Sequence, residues 1–201
     1  MCNADADLML DVVNWLLEHG EHRTNVKRVS EVLDRGGSVW QVVGDESRAY
    51  LARRVNPALT SLFDERMISD DAPETHLRNA WQAAWGVEPR PDAAYDHAVK
   101  GIESALRAIV SPNDGKATLG RMIGTIRAER DRFELRLRPT AGEDQLDVFV
   151  GALDLLWRSQ PRHGQPDTVV GVSDDQARDA VSLAAHLLDW IQRGAFRHTD
   201  A

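Results

Sequence analysis

A chain of 201 residues with 28% charged and 42% hydrophobic residues has a globular balance, which excludes a disordered or fibrous protein. Its net charge of −8 argues against a protein that coats nucleic acid nonspecifically, since such binding is built from many cationic contacts to phosphates. No apolar run approaches the ~20 residues that cross a bilayer, and the single cysteine, Cys2, allows no intramolecular disulfide, cysteine-based zinc site or redox pair.

The first residues carry Asp5, Asp7 and Asp11 where a secretory signal would be basic, so a cytoplasmic chain is expected. Residues 8–17 and 26–33 have apolar side chains at helical spacing, and Gly36-Gly37 stops the second run, predicting two short helices. Residues 38–43 and 48–55 are rich in β-branched and aromatic types and flank Gly44-Asp45-Glu46-Ser47, which predicts a small β-hairpin. Asn56-Pro57 reads as a cap followed by proline in the first turn, launching a helix over 58–68 that breaks at Ser69-Asp70-Asp71-Ala72-Pro73. With no Gly/Ser-rich linker and no repeat, that break is the expected boundary between a helical and hairpin module over 1–72 and a helical bundle over 73–201.

The second half is patterned throughout. A helix carrying Leu77, Trp81 and Trp85 precedes a longer one over 92–110, whose apolar face runs from Tyr95 to Ile109. Trp81 and Trp85 read as core or interface residues rather than platforms for stacked bases. A shorter helix follows over 119–126. The segment 145–160 sets Leu146, Phe149, Val150, Leu153, Leu156 and Trp157 along one stripe and must end near Pro161, which places Arg158 in its last turn. The final helix opens with Ser173 and Gln176 at capping-box spacing and stops at Gly194, leaving His198 on a tail expected to fray. The fold class is mainly α.

Residues 116–138 hold seven basic and three acidic side chains, the one basic stretch of an acidic chain, and read as a solvated helix end and loop. Chance placement alone gives about two Arg–His pairs separated by four to six residues, a known signature. Three are present: Arg90 with His97, Arg158 with His163, and Arg193 with His198. Setting selects the middle pair, which lies at a helix end and just past a proline, on a short irregular segment held between two core helices.

On these residues the segment from about 92 to 194 resembles a HEPN domain of the bacterial toxin and abortive-infection type. The likeness rests on Ala94-Tyr-Asp-His-Ala-Val-Lys-Gly-Ile-Glu103 as an early helix with an acidic residue, on Leu156-Trp-Arg-Ser-Gln-Pro-Arg-His-Gly164, and on the closing helix. The wider order, a helical and hairpin module before such a half, is similar to that of actinobacterial proteins related to abortive-infection proteins. The resemblance implies a homodimer whose Arg and His come together to cleave RNA without metal or cofactor, leaving 2′,3′-cyclic phosphate and 5′-hydroxyl ends. His163 would move the proton of the 2′-hydroxyl, and Arg158 would stabilise charge on the phosphorane. Ser159, Arg162 and Glu103 are the supporting residues. Ser159 stands where the family often carries Asn, Asp or His, and Glu103 either orients the pair or is a solvated helix residue. Gln165 occupies the position of the tyrosine that a partner nucleotidyltransferase modifies in some family members, which disfavours that circuit; another antitoxin or defence-system partner stays open.

Other readings remain beside this one. Arg158 could simply bridge to Asp154 one turn earlier, and His163 could cap its loop, leaving a catalytically inactive module for dimerisation or for binding RNA or protein. An adaptor in a defence system is the third. His19 and His22 lack the partners of a metal site, and no phosphate-binding glycine loop is present, which disfavours an ATPase or dehydrogenase.

Overall fold

The computed structural model describes residues 4–19, 25–45, 48–57, 59–61, 72–137, 145–158 and 171–200. It is mainly helical, with two small antiparallel two-stranded sheets. In chain order come α1 (Ala4–His19), α2 (Val26–Arg35), β1 (Trp40–Gly44), β2 (Ala49–Arg53), α3 (Ala72–Trp85), α4 (Pro91–Val110), α5 (Leu119–Ala128), β3 (Phe133–Leu135), α6 (Gln145–Arg158), α7 (Asp174–Gln192) and β4 (Phe196–His198). Of the helix expected over 58–68, Pro57 and 59–61 are helical, with Leu59 and Thr60 donating to the Asn56 carbonyl; 62–68 lie outside the described residues.

The hairpin pairs Trp40 with Arg53 through Gly44 with Ala49. Gly44 has φ +100°, and a Cβ there would lie 2.0 Å from the Arg48 carbonyl oxygen, so this turn requires glycine. Strand β2 is buried on both faces because it lies between two layers. Ala49 and Leu51 pack with Leu10, Val13 and Leu17, while Tyr50 and Ala52 join the main core with Trp81 and Trp85. Its outer edge is covered as well: the Leu51 amide donates to Asn14 Oδ1 at 2.7 Å, and Ala52 bridges to Gly86. One core therefore includes residues on both sides of position 72/73, and Ala72 and Pro73, the last two residues of the expected break, open α3; 62–71 lie outside the described residues.

Helices α3, α4 and α7 pack on one another around alanines and a close approach at Gly101, where a Cβ would stand 3.3 Å from the Pro73 carbonyl oxygen. Trp81 and Trp85 are buried with ring centroids 4.2 Å apart, as expected of core residues. The Ser173–Gln176 capping box forms in both directions at the start of α7. The C-terminal tail does not fray. Beyond Gly194, at φ +64°, the chain pairs as β4 with β3; Phe133, Phe196 and Phe149 stack, and His198 Nε2 donates to the Ile109 carbonyl at 2.8 Å.

Candidate functional site

Helix α6 buries Leu146, Phe149, Val150, Leu153 and Leu156 and turns Val148, Gly151 and Leu155 outward. Its last residue, Arg158, continues that outer line at the helical interval. The C-terminal turn is tied down from the side: the Tyr95 hydroxyl, on α4, donates to the Leu156 carbonyl at 2.8 Å in a buried position. Trp157 covers Gly120 so closely that a Cβ at 120 would fall 2.7 Å from the indole Nε1. On the far side of the segment that follows, the Val172 amide donates to Asp92 Oδ1 at 3.2 Å. The last turn of α6 and the residues leading into α7 thus both meet the first turns of α4.

Arg158 is 70% exposed and donates from Nε to Asp154 Oδ1 at 3.1 Å. Asp154 also accepts from Arg127 Nη2 of α5 at 2.5 Å. Partial burial pushes the Asp154 carboxyl up, but hydrogen bonds from Arg127 and Arg158 outweigh it, and the group stays below the usual aspartate value. Glu103 points elsewhere. Its Oε1 accepts the Leu119 amide at 2.7 Å, closing the start of α5 together with the Thr118 side chain, which accepts from the Arg121 amide. His163, Ser159 and Arg162 lie outside the described residues, so the structure places Arg158 and Glu103 of the five expected site residues and gives these two different partners.

Much of the basic stretch is paired. Arg121 meets Asp114, Arg127 meets Asp154, Arg130 meets Asp147 and Arg132 meets Glu129. This supports the reading of 116–138 as a solvated helix end rather than a bare cationic strip. Sequence reasoning missed a second constellation: His76 on α3 and His97 on α4 approach Nδ1 to Nδ1 at 3.2 Å, with ring centroids 5.4 Å apart. Burial first, then Lys100 for His76, and burial first, then His76 itself, for His97, hold both below the usual histidine value; Asp96 opposes the shift in each, and Glu103 does so for His76. Arg90, the expected companion of His97, also disfavours its charge but shares no hydrogen bond with it among the described contacts. No spacing rule reveals two histidines 21 positions apart on adjacent helices.

A groove of about 420 Å³ lies between α1, β2 and the α3–α4 turn, lined by Asp11, Trp15, Glu18, Gln82, Glu88 and Arg90 among others. It does not include Arg158. No group of three or more metal-ligating side chains occurs among the described residues, and no described helix is long and apolar enough to cross a membrane. Comparison of the chain with protein-family models, with curated proteins and with solved structures gave no match.

Proposed function

We propose that this chain is a metal-independent endoribonuclease of the toxin or phage-defence type, with residues 73–201 as a HEPN-like unit and 1–72 as an accessory module. The observation that carries the reading is the tethering of the segment between α6 and α7. The Tyr95–Leu156 and Val172–Asp92 hydrogen bonds hold the end of α6 and the residue before Ser173 against one helix, and Arg158 stands exposed as the last residue of α6. Loops held this way by a rigid scaffold are where reactive groups can be both accessible and positioned.

In this reading His163 accepts the 2′-hydroxyl proton as that oxygen attacks phosphorus, and it returns a proton to the departing 5′-oxygen. Arg158 turns its Nη nitrogens to the phosphorane while Nε stays on Asp154, which keeps the fork oriented. The exposed line of Val148, Gly151 and Leu155 leading to Arg158 suits a homodimer that brings two such sites together in the cytoplasm. RNA is the substrate, and an antitoxin or other defence-system protein is the regulatory partner.

A second reading is favoured by one contact. The Arg158–Asp154 bridge gives the arginine a structural partner, as expected of a catalytically inactive HEPN-like module that binds RNA or protein. The deciding experiment incubates purified protein with total tRNA and mRNA in excess EDTA, beside Arg158→Ala and His163→Ala variants. The ribonuclease reading expects cyclic-phosphate ends, lost in both variants, while Arg158→Ala changes stability by less than about 1 kcal/mol because the bridge is exposed. Intact RNA from folded wild-type protein on every substrate transfers the reading to the binding module.

A further inference from the structure

Helix α1 is apolar around more than half of its circumference, and the hairpin uses one side of that arc. Leu10, Val13 and Leu17 pack toward β2. Leu8, Met9, Val12 and Trp15 are 61%, 62%, 48% and 60% exposed, and Leu16 is 39% exposed. On a helical projection these five fall within one stripe about 120° wide. Together they present on the order of 500 Å² of apolar side chain, near the top of the range of about 300–600 Å² for the largest patch on a monomer. Trp15 is also held in place. The His19 ring stacks on it with centroids 5.4 Å apart and planes 18° from parallel, and His19 Nδ1 lies 3.2 Å from the Trp15 carbonyl oxygen. An aromatic side chain already fixed in one orientation loses little freedom when it is covered.

The arrangement of the stripe says what covers it. Positions 8, 9, 12, 15 and 16 have the same intervals read from either end, with Val12 at the centre. A second α1 turned end for end therefore presents Leu16 to Leu8, Trp15 to Met9, and Val12 to its own copy. We propose that α1 pairs antiparallel with α1 of a second copy of this chain, about a two-fold axis passing by Val12. Self-complementarity of one patch is what such an axis demands. The antiparallel arrangement also sets the positive end of each helix dipole beside the negative end of the other. Two copies of the stripe, covered in full, bring about 1,000 Å² of apolar surface before any polar rim is added, the lower bound for a specific interface. An anionic lipid surface fits less well, since Asp7, Asp11 and Glu18 share this helix where a membrane-lying helix carries lysine and arginine. The pairing stands apart from the ribonuclease reading and from the outer line of α6, and its test does not measure RNA cleavage.

The test uses the full chain with Cys2→Ser and a single cysteine at Val12→Cys. A residue on the axis meets its own copy, so mild oxidation should give a covalent dimer, while Val39→Cys, more exposed but off the helix, should not cross-link. Sedimentation equilibrium of the otherwise native chain should show self-association through α1, with Val12→Asp plus Trp15→Glu raising the dissociation constant of that step by about 100-fold and leaving the helical circular dichroism unchanged. A monomer at 100-fold the working concentration, a dimer indifferent to the double substitution, or equal cross-linking at positions 12 and 39 overturns the proposal. Because the cysteine readout needs no disruptive substitution, a double variant that failed to fold would still leave a decisive result.

Discussion

The two ends of the chain solve the problem of burial differently. In the first 39 residues lie seven of the ten large hydrophobic side chains exposed among the described residues, and α2 contributes no buried residue. The fully buried members of the α1–hairpin cluster are Leu17, Ala49 and Leu51, whereas α3 to α7 share a continuous core with Trp81, Phe149 and Phe196 at its centre. The difference teaches that the N-terminal elements depend on what they lean against. The hairpin is anchored from both faces, but α1 and α2 sit at its margin with apolar surface to spare.

The contrast is broken most directly by truncating one side chain in each cluster. Phe149→Ala should cost about 3–5 kcal/mol in urea unfolding, and Leu17→Ala about 2–3 kcal/mol because its thinner surroundings collapse more easily. Equal losses would mean that the two clusters form one cooperative unit of uniform density. Amide exchange should sharpen the same point, with α1 and α2 exchanging before α4 and α7.

A smaller effect is expected from Tyr95→Phe. It removes the buried hydrogen bond to the Leu156 carbonyl, costing about 1 kcal/mol, and should loosen the last turn of α6 more than any other part of the chain. No change in exchange at 153–158 would show that the turn is held by packing alone.

The third effect depends on pH. His76 and His97 share their Nδ1 contact only if one nitrogen donates and the other accepts, so two full protonations set donor against donor. Both groups have lowered values when folded, so the unfolded chain takes up protons first as pH falls below about 6.5, and stability declines from there until the folded values are passed. His76→Gln with His97→Gln should flatten that decline in a series of melting curves; an unchanged slope would assign it to other groups. The smallest effect belongs to the exposed margin. Val32→Thr on α2 should move stability by no more than about 0.5 kcal/mol.

Much of this architecture was legible in the residues. The hairpin, the stripe of α6 ending at Arg158 and the capping box of α7 follow from period, turn chemistry and cap spacing, which are local properties. What was missed is pairing at a distance. Phe133-Glu-Leu-Arg-Leu137 alternates as a strand should, but a three-residue strand is recognisable only with its partner, and Phe196–His198 lies 63 positions away beside a glycine that reads as an ending. The role of Glu103 was hidden for the same reason. A carboxylate on a helix face declares its charge, not that the amide it accepts opens the next helix. The bridge from Arg158 to Asp154 could be foreseen because both ends lie on one helix, whereas Arg127, arriving from α5, could not.

The contact between Gly120 and Trp157 has a consequence for how this chain can vary. Position 120 is closed to even one added carbon, because the indole already occupies the place a methyl group would take. A larger side chain there would displace Trp157, one residue before Arg158, although position 120 itself carries no charge and no hydrogen-bonding side chain. In a set of diverged sequences, glycine at 120 and a large aromatic at 157 should be lost together or kept together, a signature of the packing between the first turn of α5 and the last turn of α6 even where the arginine itself had been replaced.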